Sequence, residues 1–100
     1  MHKMLILAAA SAALLGANAF AVERGELLAS TCLSCHGPDG HSTKVQGAVP
    51  SLAGLEKGYL VKSLQEFKAG TRASSVMKRL ASGYTDEEYA LMADYLSKLK

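Results

Sequence analysis

Cys32, Cys35 and His36 stand together in the run CLSCH, and the chain holds no other cysteine. Three chemistries use a C-x-x-C spacing: a redox dithiol, half of a zinc site and, when histidine follows directly, covalent attachment of a c-type haem. A dithiol of the thioredoxin kind follows a strand in a βαβ pattern, and no alternating β-branched run precedes Cys32. A structural zinc site needs four ligands. Here the two cysteines, His36 and His41 crowd into one short stretch with no second half-site. On a single helical turn, two thiols reach the two vinyl groups of a haem while the adjacent imidazole reaches the iron, so CLSCH reads as haem attachment.

The N-terminus points to a compartment suited to that chemistry. His2 and Lys3 precede an apolar stretch from Met4 to Leu15, followed by Gly16 and the run Ala17-Asn18-Ala19-Phe20-Ala21. Residues 1–21 are expected to be a secretory signal peptide, cleaved after Ala21 with Ala19 as the alternative. The apolar run is shorter than the ~20 residues of a spanning helix, so no stable membrane insertion is expected after processing. An exported chain with a single C-x-x-C pair has no disulfide framework to build, and its thiols need another use. The expected location is the periplasm. With a net charge of +2, no nucleic-acid partner is expected.

Residues 22–100 are expected to form one domain, near the size at which a side-chain core alone is marginal. A tethered haem would add a large apolar surface for short helices to pack on. A first helix is expected over 22–35, with Leu27, Leu28 and Thr31 leading into the cysteines at helical spacing. Gly25 either permits close approach of a crossing helix or is an exposed glycine tolerated at about 1 kcal/mol. Gly37-Pro38-Asp39-Gly40 is a strong turn signal, and 41–54, with Gly47, Pro50 and Gly54, reads as a loop. Residues 59–69 are expected to be helical, with Leu60, Leu64 and Phe67 on one face and Gly70 as the stop. A short helical turn is expected over 77–81. Thr85 and Glu88 form a T-x-x-E capping box for the last helix, whose apolar stripe is Tyr89, Met92, Leu96 and Leu99. The pattern is all-α.

CLSCHGPDG, the Pro50-Ser51-Leu52-Ala53-Gly54 loop, the FKAG helix end and the run from Met77 to Gly83-Tyr84-Thr85 together resemble class I c-type cytochromes. Within the class they are similar to the short bacterial periplasmic subgroup that includes the cytochrome subunit of flavocytochrome c sulfide dehydrogenase and the halves of di-haem cytochromes. The resemblance implies a small cytochrome c fold of three to five short helices around one covalently attached haem c. It implies single-electron transfer without enzymatic activity of the chain's own. It places His36 as one axial ligand. Among Met77, Met92 and His41, it assigns the other to Met77, which lies outside the long apolar stripes, whereas Met92 sits on one and His41 is close to His36. Many longer members carry proline directly after the ligand methionine; here Lys78 follows. The family's second-shell proline carbonyl, which accepts the ligand histidine's ring N–H, matches Pro50. Tyr59 and Tyr84 either line the pocket or pack elsewhere.

Expected partners are redox proteins, a flavoprotein or a terminal oxidase among them, and the chain is either a free carrier or the dedicated cytochrome subunit of a sulfide-oxidising flavoprotein. Lys44, Lys57, Lys62, Lys68, Arg72, Lys78 and Arg79 face only Glu56 and Glu66 in the middle of the chain. Arg72, Lys78 and Arg79 are candidates for a basic rim that steers an acidic partner, against the alternative of scattered solvated charges.

Overall fold

The computed structural model describes residues 24–43 and 49–100; the expected signal segment 1–21, the expected helix start at Val22, Lys44 and Gly47 lie outside them. The described residues form four helices and no strand: α1 over residues 24–36, α2 over Lys57–Ala69, α3 over Ser75–Ala81 and α4 over Asp86–Ser97. The fold is all-α, as the sequence pattern requires.

Small residues let α1 and α4 approach each other. A Cβ on Gly25 would lie 2.7 Å from the main-chain oxygen of Leu91, so the glycine is a contact point between helices. The inward face of α1 runs through Gly25, Ala29 and His36, with Leu33 partly buried beside them. Of the residues at the expected helical spacing, Leu28 is half-buried while Leu27 is 74% exposed and Thr31 is exposed; the buried face follows the small residues Gly25 and Ala29. Ala29 meets Leu60 of α2 and Ala93 and Leu96 of α4 in the core, with Leu52, Leu55, Val61, Tyr95 and Leu99 packed around them. Leu99 contributes from beyond the end of α4 and not from the helical stripe itself.

Several helix ends have a local cause. At the C-terminus of α2, Gly70 takes a left-handed φ of 81°, and the N–H groups of Gly70 and Thr71 donate to the carbonyls of Phe67 and Glu66 at 3.1 and 3.0 Å. Helix α2 begins two residues before the expected start, and its N-cap, Glu56, makes no side-chain cap bond that could have marked the boundary. Helix α3 also starts earlier than expected, because Ser74 caps it by accepting the Met77 N–H at 3.1 Å. The α4 capping box is present: Thr85 N–H donates to Glu88 Oε1 at 3.0 Å and Glu88 N–H to Thr85 Oγ1 at 3.2 Å. Asp86, Glu87 and Glu88 crowd the positive first turn. The short α3 is tied to α4 by the buried Tyr89 hydroxyl, which donates to the Ala81 carbonyl at 2.5 Å.

Candidate functional site

The last turn of α1 presents Cys32, Cys35 and His36, so the two thiols sit three residues apart on one helical face. Both are free thiols, Cys35 exposed and Cys32 half-buried. Burial pushes the Cys32 thiol above its ordinary value, against weaker opposing hydrogen bonds. That disfavours the thiolate on which a redox dithiol depends.

His36 is 7% exposed, and its Nδ1 lies 2.6 Å from the carbonyl of Pro50. A carbonyl can only accept, so Nδ1 carries the proton, and in the neutral ring this tautomer leaves the Nε2 lone pair for a ligand. The loop that delivers Pro50 is laced to the turn after α1. Gly37 and Gly40 have φ of 100° and 83°, and Gly40 N–H donates to the Gly37 carbonyl at 2.9 Å. The Gly40 carbonyl then accepts Leu52 N–H at 2.8 Å and Ala53 N–H at 3.0 Å. Ser42 N–H donates to Ser51 Oγ at 2.9 Å. The sequence placed Gly40 in a turn and Ser51 in the Pro50–Gly54 run, but not the contacts that join the two.

The remaining candidates separate by environment. Met92 is 1% exposed, sealed in the core on α4. Met77 is half-buried at the capped start of α3. His41, at the start of the expected loop, is exposed and donates Nε2–H to the main-chain oxygen of Lys100 at 2.9 Å. The Tyr84 hydroxyl is 2.9 Å from Thr31 Oγ1, next to Cys32. Tyr59 is 48% exposed, and its hydroxyl accepts from Arg72 at 3.4 Å. Arg72 lies over the Phe67 ring at 4.9 Å and the Tyr59 ring at 5.9 Å and donates to Ser63 Oγ at 2.8 Å. Its guanidinium holds the segment after α2 against that helix, while Lys78 and Arg79 are exposed on α3.

A family model for cytochrome c matches residues 22–100. The chain belongs to the cytochrome c family. It is 46% identical over 76 residues to the cytochrome subunit of sulfide dehydrogenase of Chlorobaculum tepidum, covering 76% of this chain and 66% of that relative. It is 35% identical over 103 aligned positions to cytochrome c-553 of Nitratidesulfovibrio vulgaris, covering 99% of this chain and 100% of the relative. A thiosulfate dehydrogenase electron acceptor of Stutzerimonas stutzeri is 35% identical over 71 residues, 71% of this chain and 32% of its own length. The chain thus spans from about a third to all of the length of these relatives.

As a member of this family the protein is an electron-transfer cytochrome whose cofactor is covalently bound haem c. The residues present fit that group. Two unpaired thiols share one helical face, and the adjacent imidazole is buried with Nδ1 already engaged. No helix among the described residues is long and apolar enough to cross a membrane.

Proposed function

We propose that residues 22–100 carry one haem c, bonded through Cys32 and Cys35 and ligated by His36 Nε2 and Met77 Sδ, and pass single electrons between redox partners in the periplasm. The observation that carries this reading is the 2.6 Å bond from buried His36 to the Pro50 carbonyl, which fixes the tautomer a metal-binding histidine needs. The haem, when bound, supplies a reversible one-electron change at iron. A soft thioether from Met77 favours the ferrous state and raises the potential. With His36 and Met77 both holding the iron, the chain would leave no open coordination site for oxygen or a substrate.

Absorption spectra of the purified mature protein, oxidised and reduced, with and without carbon monoxide, test the reading. Haem bands without a carbon monoxide adduct support it; a haem-free chain or a ready adduct rejects it. Residues 1–21 act as the signal peptide, so N-terminal sequencing of protein from the native source should begin at Val22.

Lys78 and Arg79, exposed beside Met77 on α3, steer an acidic partner into contact. Electron-transfer rates should therefore fall as ionic strength rises, and a salt-independent rate excludes steering. The 46% identity to a sulfide dehydrogenase cytochrome subunit favours a second reading, in which the chain is the dedicated electron-accepting subunit of a flavoprotein that oxidises sulfide. Stable co-purification with a flavoprotein selects this reading over a free carrier.

A further inference from the structure

We infer that Leu99 and Lys100, acting through Gly40 and His41, form a clasp that positions the Pro50 carbonyl on His36, so that the chain beyond α4 tunes the histidine's strength as an iron ligand. The inference rests on the reading of His36 as that ligand.

The hydrogen bond that fixes His36 comes from a backbone carbonyl, so its position depends on how the neighbouring chain is held. On the C-terminal side of Pro50, Leu52 and Ala53 both donate to the Gly40 carbonyl, at 2.8 and 3.0 Å. Gly40 is therefore the anchor of the loop. Its surroundings are tight: a Cβ there would lie 3.0 Å from Ala53 Cβ, 3.1 Å from Ala53 N and 3.1 Å from Leu99 Cδ1. The φ of 83° favours glycine at this position independently of space. Leu99 thus closes one side of the anchor.

The next residue makes a second tie. His41 donates its own N–H to Asp39 Oδ1 at 3.0 Å and its Nε2–H to the Lys100 oxygen at 2.9 Å. A third tie, from Gly54 N–H to the Leu96 carbonyl at 3.2 Å, joins the far end of the loop to the last turn of α4. His41 and Lys100 are both exposed, so their tie can be cut without opening the core.

Hydrogen bonding to the second ring nitrogen fixes a ligand imidazole and raises its basicity. A more basic imidazole favours ferric iron. Loosening the clasp should therefore free the ring N–H and move the midpoint potential in the positive direction.

The test compares His41→Ala and Leu99→Ala holoproteins with wild type and with Lys98→Ala, which removes a surface pair with Asp94 at the same end of the molecule. The readouts are exchange of the His36 Nδ1–H by NMR and the midpoint potential. Both clasp variants should accelerate that exchange roughly tenfold relative to α2 amides, while Lys98→Ala leaves it unchanged. Their ferric-to-ferrous ratio at a fixed applied potential should fall by up to about tenfold, equivalent to a rise of about 59 mV for a one-electron couple. Wild-type exchange and potential in His41→Ala and Leu99→Ala overturn the clasp, as does an acceleration shared equally by the α2 amides. A His36→Ala protein that keeps the wild-type haem spectrum overturns the ligand reading instead, so the two failures are distinguishable.

Discussion

Donation of Nδ1–H to Pro50 leaves His36 with a single lone pair to offer, on Nε2. On the proposed reading, the sulfur that would share the haem with His36 comes from one of two methionines of contrasting surroundings. Met92 is 1% exposed on α4, where an unbranched thioether fills buried space. Met77 is half-buried at the start of a short capped helix, with a side chain not committed to the core. Met77→Ala should therefore abolish the weak long-wavelength band of a ferric iron–thioether bond in the absorption spectrum. Met92→Leu should keep the band, at a stability cost below about 1.5 kcal/mol for a volume-conserving change. The reverse pattern reassigns the ligand. Cys32, Cys35 and His36 were legible because their chemistry is written in adjacent residues. The roles of Gly40 and Ser51 were not, because each depends on which distant backbone the turn meets. Arg72 shows the same limit: its stacking on Phe67 and Tyr59 exists only once α2 and the following segment are folded together.

Among the elements, legibility follows the range of the interaction that builds each one. The Thr85–Glu88 box closes within one turn and could be read directly, whereas the start of α2 has no cap bond and could not. Gly25 is the instructive middle case, since its spacing allowed both a crossing point and a tolerated exposed glycine. Contact with Leu91 of α4 decides between them. Gly25→Ala should cost about 1–3 kcal/mol, the usual range for overpacking, because the 2.7 Å neighbour is backbone that cannot swing aside. A denaturant midpoint within error of wild type would contradict this close approach. Tyr89 joins α3 to α4 through Ala81, and burial, aided by Asp86, holds its phenol above the ordinary tyrosine value. The folded state thus keeps a proton that the unfolded chain releases. The resulting stability is present below the ordinary value, roughly pH 10, and is lost as pH rises toward the raised one. Tyr89→Phe should be less stable at neutral pH by about 1 kcal/mol, the lost hydrogen bond, yet should lose less of its remaining stability between neutral and alkaline pH. Parallel pH profiles for the two proteins would show that Tyr89 ionises alike folded and unfolded.

For the molecule as a whole, the polypeptide's own core is thin. Among the described residues the buried hydrophobic set is Ala29, Leu60, Ala81, Tyr89, Met92, Ala93 and Leu96, and three of these are alanines with almost no side chain to bury. Leu27, Tyr59, Val76 and Leu80 remain from 48% to 74% exposed. Ordering each residue costs roughly 1–2 kcal/mol of conformational entropy, and domains of this size need a staple, a metal or a cofactor to offset it. Helices α2 and α3 contact each other, and α2 contacts α4, but α3 is a two-turn element whose described attachment to α4 is the Tyr89–Ala81 bond. A haem bonded to α1 through Cys32 and Cys35 and ligated from α3 by Met77 would join the first and third helices through a single apolar body. Removal of both thiols should therefore cost more than the removal of two side chains. The Cys32→Ser/Cys35→Ser protein, prepared without haem, should show weak helical circular dichroism and no cooperative thermal transition. A native-like helical spectrum with a cooperative melt would show instead that Ala29, Leu60, Ala93 and Leu96, with the residues packed on them, suffice to hold the four helices.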